Sequence, residues 1–220
     1  MPTEDFTLRA INLHKAFGSR VVLRGVEFEL RPGELLGIIG ENGAGKTTLL
    51  RILAGELRAD RGRVLHRRRL GYCPQRIVVN DELTVEQHLR YFQCAYHLDD
   101  LSRADELLDR LDLAKFRRVT AGLLSGGTRQ KLNLTLALMH EPDVVLMDEP
   151  YQGFDWENYL NFWSITDELR ERGHSVLVIS HIAHDVERFD RLYRLQSGRL
   201  VSIEPAGSLP VGTGLEQALT

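Results

Sequence analysis

Residues 35 to 47 read LLGIIGENGAGKT, an apolar run followed at once by the pattern G-x-x-x-x-G-K-[ST]. The apolar run is too short for a helix and predicts a buried strand, while KTTLLRILAGEL beyond it has a helix pattern stopped near Gly55. Strand, glycine-rich loop and helix in that order build an anion site. Glycines let successive backbone N–H groups curl around phosphate oxygens, and the helix N-terminus adds partial positive charge. Gly40, Glu41, Asn42, Gly43, Ala44 and Gly45 therefore form a candidate phosphate cradle, continued by Lys46, Thr47 and Thr48. Lys46 would reach the terminal phosphates, and Thr47 would offer its hydroxyl to Mg²⁺.

A second apolar strand, in DVVLMDEP, ends in two carboxylates. Asp148 would lie beside the phosphate loop, where it can hold Mg²⁺ directly or through water. Glu149 could face the terminal phosphate and orient or deprotonate an attacking water. Loop and carboxylates together define a nucleoside triphosphatase. Kinases, helicases and small GTP-binding proteins share both elements, and an NKxD-type guanine reader is missing from the sequence.

A second glycine-rich stretch, LSGGTRQ at residues 124 to 130, opens the segment KLNLTLALMH, which reads as a partly buried helix. Ser125, Gly126 and Gly127 supply free N–H groups, a hydroxyl and a helix dipole, so an anion site and a plain helix cap are both open readings.

The remainder of the chain alternates. TLRAINLHKAF, VVLRGVEFEL, RVLH and LGYC read as strands, with the turn RPGE before the phosphate-loop strand. Residues 81 to 140 read as a helical block, with Thr84-x-x-Gln87 and Ser102-x-x-Asp105 resembling capping boxes. A helix is predicted over roughly 156 to 172 and a buried strand at SVLVIS. The pattern predicts an α/β fold, a parallel sheet covered on both faces and interrupted by a helical insertion. Arg67, Arg68 and Arg69 fall between two short strands and read as a solvated hairpin tip. The segment EPAGSLPVGTG reads as a loosely ordered tail.

With 220 residues, 43% hydrophobic, the chain can bury a proper core, and its net charge of −3 argues against nucleic acid as a partner. The start MPTEDFTLRAINL lacks a signal-peptide pattern and no apolar stretch is long enough to span a membrane, which predicts a cytoplasmic protein without direct membrane insertion. Cys73 and Cys94 belong to no metal-ligand pattern and read as reduced packing residues.

Taken in order, GENGAGKT, YCPQ, LSGG, DVVLMDEP, QGFD and VISH resemble the ATP-binding subunits of ABC transporters across nearly the whole chain. That resemblance implies a RecA-like P-loop NTPase core with an antiparallel β subdomain and an inserted helical subdomain. On this chain it implies one domain over 1–203, with the β subdomain and core at 1–80 and 141–203, the helical subdomain at about 81–140, and a tail at 204–220. It implies ATP and Mg²⁺ as ligands. Phe17 takes the place of the residue that stacks on adenine, Gln75 that of the glutamine reaching Mg²⁺ and the attacking water, and His181 that of the histidine contacting the γ-phosphate. In the family, LSGG closes on ATP held by a second subunit, so Ser125, Gly126 and Gly127 would complete a partner's site, with Asp155 of QGFD at the seam. The implied partners are a second copy or a paralogous ATPase subunit and integral membrane permease subunits, placing the chain on the inner face of the cell membrane.

Three positions depart from the family pattern. Thr128 stands where glutamine usually follows LSGG, Tyr151 where DEP is usually followed by threonine or serine, and Phe154 where leucine precedes the seam aspartate. The stretch between phosphate loop and Gln75 is short, nearer to metal-ion importers, as is the QG of YQGFD. Against that, DELTVEQHLRYFQCAYHL resembles the helical block of ABC-2-type exporter subunits, which favours export. A soluble ABC protein of translation or chromosome maintenance is the alternative outside transport. Those types carry two cassettes or a long coiled coil, and this sequence has neither. A regulatory module without turnover is disfavoured by Lys46, Asp148, Glu149 and His181 occurring together.

Overall fold

The computed structural model describes residues 6–66, 69–180 and 186–203. Its first strands, β1 (Leu8–Phe17) and β2 (Arg20–Leu30), form an antiparallel hairpin. Then come β3 (Leu35–Ile39), α1 (Lys46–Leu53), β4 (Arg61–His66) and β5 (Leu70–Cys73). The helical block holds α2 (Val85–Tyr96), α3 (Ser102–Arg110) and α4 (Gly126–Leu138). It is followed by β6 (Val144–Asp148), α5 (Trp156–Glu171), β7 (Ser175–Ser180), β8 (Arg191–Gln196) and β9 (Arg199–Ile203).

Two sheets result. A three-stranded antiparallel sheet has the order β2-β1-β4, and a six-stranded sheet has the order β5-β6-β7-β3-β8-β9. Strands β5 to β8 of the larger sheet run parallel and β9 turns back antiparallel on β8. The short apolar runs are buried on both faces, as parallel strands between two layers must be. Along them alternate residues serve two cores. Leu36, Ile38, Leu146 and Leu177 pack with α1 and the antiparallel sheet, while Val145, Met147, Val176 and Val178 pack with Leu132, Phe162 and Trp163 of α4 and α5.

Several expectations are corrected. Strands β4 and β5 belong to different sheets, so no hairpin joins them: β4 finds its ladder on β1 and β5 on β6. Arg69 there donates its backbone N–H to Asp143 (3.1 Å), and Arg67 and Arg68 lie outside the described residues. The Thr84–Gln87 box forms in full, with bonds of 3.2 and 2.8 Å. The box at Ser102 does not, because Asp100 accepts the Ser102 N–H at 2.8 Å and Leu101 becomes the cap. Cys73 is buried, but Cys94 is exposed, since it lies half a turn away from Val85 on α2. The β8–β9 hairpin was not anticipated, and α4 is buried all around from Gln130 to Leu138 rather than partly.

The helical block is fastened to the core through Glu168 on α5. Its carboxylate accepts from Arg103 at 3.2 Å, from Arg172 at 2.9 Å and from Arg110. Burial works to raise the Glu168 pKa, but the Arg110 hydrogen bond and the three arginine charges outweigh it and hold the group below its usual value. A depressed carboxylate adds stability that is complete above the ordinary value near 4.5 and is lost as pH falls through the lower folded value. Glu168→Gln is therefore expected to cost about 1–2 kcal/mol at neutral pH. In urea denaturation at stepped pH, the difference from the parent should shrink in acid.

Candidate functional site

The loop from Gly40 to Gly45 joins β3 to α1, and Gly45 takes the left-handed conformation at φ 107° with no side chain capping the helix. A side chain there would meet Val22 Cγ1 at 2.6 Å, so glycine is required both by conformation and by space. The first N–H groups of α1 are therefore without a side-chain cap. The buried Lys46 donates to the carbonyls of Gly40 (2.6 Å) and Glu41 (3.1 Å), which ties the ammonium across the mouth of its own loop.

A cleft of about 570 Å³ lies against this loop. It is lined by Asn42, Gly43, Gly45, Lys46, Thr47 and Thr48, by Gln75 and Glu149, and by Phe17, Arg20 and Val22 of the β1–β2 hairpin. Gly40, Glu41 and Ala44 line an adjoining depression with Arg194. Phe17 is 51% exposed at the cleft, with the Lys15 ammonium 5.4 Å from its ring centroid. Arg20 is a residue that sequence reasoning missed. The hairpin register sets it opposite Phe17, and its guanidinium donates to Gly43 O at 3.0 Å. The two-residue Gly18-Ser19 turn was the available signal, because it obliges the flanking residues to share a face.

At the far side, β6 ends on Asp148 and the chain turns sharply at Glu149, whose φ is +50°. Such a conformation is uncommon for glutamate and costs on the order of 1 kcal/mol. It is held by the Glu149 N–H donating to Ile179 O at 2.9 Å. Gln75, immediately beyond β5, donates from Nε2 to Glu149 Oε2 at 3.3 Å, so these two predicted residues meet. Asp148 is 1% exposed and bonds with the Thr47 hydroxyl, while its Oδ2 has no hydrogen-bond partner among the described residues. Burial pushes the Asp148 pKa up, helped by Glu149, and the Thr47 bond and Lys46 charge only partly offset this.

Ser125, Gly126, Gly127 and Asp155 are not among the residues lining that cleft. Ser125 is exposed and caps α4, its Oγ accepting the Thr128 N–H at 3.2 Å. Thr128, the departure from the family pattern, places its hydroxyl 2.8 Å from Ser125 Oγ. Asp155 likewise caps α5, accepting from Asn158 N at 2.9 Å and from Asn158 Nδ2 at 2.7 and 2.9 Å. Those bonds hold its carboxyl below the usual aspartate range. Tyr151 is packed edge-on against Tyr159 and Phe162, with ring centroids at 5.3 Å, and donates its hydroxyl to Ser180 Oγ at 2.9 Å. Phe154 packs against the core beneath the helical block. His181 lies outside the described residues.

The two polar loops touch at Gly127. A Cβ on Gly127 would stand 2.3 Å from Gly153 O, whereas one on Gly126 would meet nothing within 4 Å. Gly127→Ala is expected to destabilise by about 1–3 kcal/mol, and Gly126→Ala to stabilise by about 0.4–1 kcal/mol. Thermal unfolding should move the two midpoints in opposite directions.

A phosphate-type loop at the C-terminal edge of a parallel sheet, with a buried aspartate at the end of β6, one strand removed from β3 across β7, defines a P-loop nucleoside triphosphatase fold. Residues 23–152 match the family described as ABC transporter, and the chain belongs to it. It is 33% identical over 226 aligned positions to the daunorubicin resistance ATP-binding protein DrrA3 of Streptomyces coeruleorubidus, covering 96% of this chain and 72% of that one. It is 32% identical over 207 positions to the Nod factor export ATP-binding protein I of Burkholderia orbicola (strain AU 1054), covering 87% and 68%. Among solved structures it is similar to an ATP binding subunit of an ABC transporter, at TM-score 0.83 and 29% identity over 88% of each chain. The chain is accordingly an ABC transporter ATP-binding subunit, a nucleotide-binding ATPase. No helix among the described residues is long and apolar enough to cross a membrane.

Proposed function

We propose that this subunit hydrolyses ATP with Mg²⁺ and drives export through separate membrane permease subunits, working as a head-to-tail pair around two nucleotides. The observation that carries this reading is the meeting of Gln75 and Glu149 at a cleft whose other wall is the Lys46 loop. Adenine would stack on Phe17, and such stacking contributes about 1–3 kcal/mol without a hydrogen-bond code. The N–H groups of residues 40 to 48 and Lys46 would hold the phosphates, with Lys46 leaving the Gly40 and Glu41 carbonyls to do so. Glu149 would orient and deprotonate the attacking water, and Gln75 would fix the carboxylate and that water together. His181, following β7, is assigned to the γ-phosphate by its position in the sequence.

The residues fit a divalent cation. Asp148 offers a buried carboxylate oxygen without a partner, next to the Thr47 hydroxyl and within reach of the Gln75 strand end. Hard oxygen donors of this kind suit Mg²⁺, which would be held by Thr47, Asp148 and Gln75 and would neutralise phosphate charge.

Ser125, Gly126 and Gly127 would complete the site of a second copy or a paralogous subunit, with Asp155 relaying between the two. The surface around them supports a partner: Leu123 is 81% exposed beside Ser125, and Trp156 is 72% exposed beside Asp155. Export is supported by the similarity to a daunorubicin resistance ATP-binding protein and a Nod factor export ATP-binding protein. The helical block at about 81–140 would receive the permease, which would place the subunit at the inner face of the membrane.

Phosphate release from ATP by the purified chain tests the reading. Turnover should require Mg²⁺ and rise more steeply than linearly with protein concentration. A purified chain that releases no phosphate with Mg²⁺ present at any point of a protein-concentration series would remove it.

A further inference from the structure

Pro74 precedes Gln75 and Pro150 follows Glu149. A proline has no N–H, so its carbonyl is its one backbone hydrogen-bonding group, and a donor from elsewhere is needed to hold it. Both carbonyls find such a donor on the same helix. Asn133 Nδ2 donates to Pro74 O at 2.9 Å, and Gln130 Nε2 donates to Pro150 O at 3.3 Å. The two amides are three residues apart on α4, hence neighbours on one face, and are 2% and 3% exposed. They converge on Cys73, whose Sγ lies 3.4 Å from Asn133 Nδ2 and 3.8 Å from Gln130 Nε2. Burial, with the Asp148 charge, pushes that thiol up to about 12, so it stays a neutral, soft acceptor.

We propose that Asn133 and Gln130 are positioning residues, a pair of amides that sets the separation of Gln75 and Glu149 by holding the proline beside each. The role rests on the ATPase reading given above. Buried polar side chains with every donor directed are costly to place and rigid once placed. Here they point at the two chain segments whose side chains meet at the cleft. Because Ser125 caps the start of α4, the same helix that presents the second glycine-rich loop also gauges the hydrolytic pair. A shift of α4 along its axis would move Pro74 and Pro150 together, and misplacement of catalytic groups by about 1 Å costs up to ~100-fold in rate.

The test is steady-state ATP hydrolysis with Asn133→Leu, close in volume but without the donor. It should lower kcat on the order of tenfold with KM for ATP within about twofold of the parent, since the nucleotide-lining loop belongs to other elements. The double variant Asn133→Leu/Gln75→Ala should be no slower than Gln75→Ala alone, because the amide acts through Gln75. A folded Asn133→Leu protein with kcat within twofold of the parent overturns the proposal, as does a double variant whose losses multiply. If Asn133→Leu does not fold, Gln130→Met carries the same kcat and KM expectations from the Pro150 side and the same grounds for rejection. Turnover by the parent separates the two levels. A parent that hydrolyses ATP beside an unaffected variant rejects the clamp alone, and an inactive parent rejects the ATPase reading together with it.

Discussion

Replacing Glu149 by Gln is expected to reduce ATP turnover by at least about a hundredfold, the contribution of a lost general base, while leaving ATP binding intact. The substitution keeps the shape of the side chain and the left-handed turn, which is anchored through the backbone bond to Ile179. The loop residues proposed to hold the phosphates lie between β3 and α1 and in the first turn of α1, and are untouched. Removing a negative charge beside bound triphosphate also favours the loaded state, so the variant should accumulate as an ATP-bound pair. Phosphate release and size-exclusion chromatography with Mg²⁺ATP check both halves of the expectation. A variant turning over at the parental rate would deny Glu149 its role, and the water would have to be activated by another group.

Ser125→Arg is expected to spare nucleotide binding to the isolated subunit and to abolish pairing. Ser125 is exposed and outside the cleft lining, so a large side chain there has room without disturbing the chain's own nucleotide site. Two local costs follow. The helix loses its cap, worth about 1 kcal/mol, and a cation is set at the positive end of α4. Ser125→Ala isolates the first cost and should leave pairing weakened but measurable. Built on the Glu149→Gln background, Ser125→Arg should keep the protein monomeric at ATP concentrations that pair the single variant, and unimpaired pairing would overturn the shared-site reading.

The chemistry-bearing stretches were legible because each couples a residue pattern to an element boundary. LLGII followed by GENGAGKT had to be strand, loop and helix, and VVLM followed by Asp148 had to be a buried strand end. The Thr84 box was legible because both partners of its reciprocal bonds lie within four residues. What escaped depends on contacts between distant segments. Whether β4 and β5 pair with each other or with β1 and β6 is decided by ladders more than fifty residues away on one side, and the intervening arginines carry no sign of it. The amides of Gln130 and Asn133 are one turn apart in sequence, but their acceptors are 20 and 59 residues distant. By contrast the β8–β9 hairpin had a local signal that went unread, a Ser197-Gly198 turn with both φ values positive between alternating apolar residues.

Tyr151 shows how a departure from a family pattern can be absorbed. Its ring fills space among Tyr159, Phe162 and Trp163, and its hydroxyl reaches the end of β7 at Ser180. The larger side chain is accommodated in the aromatic core behind the loop, away from the cleft lining.

The backbone approach of Gly127 to Gly153 bears on timing. With no side chain on either residue there is nothing compressible between the two loops, so a displacement of one reaches the other without slack. The serine-bearing turn and the loop leading to Asp155 are thus expected to move together. If a second subunit engages this edge as proposed, its association rate should respond alike to changes on either loop, as though they were one tooth.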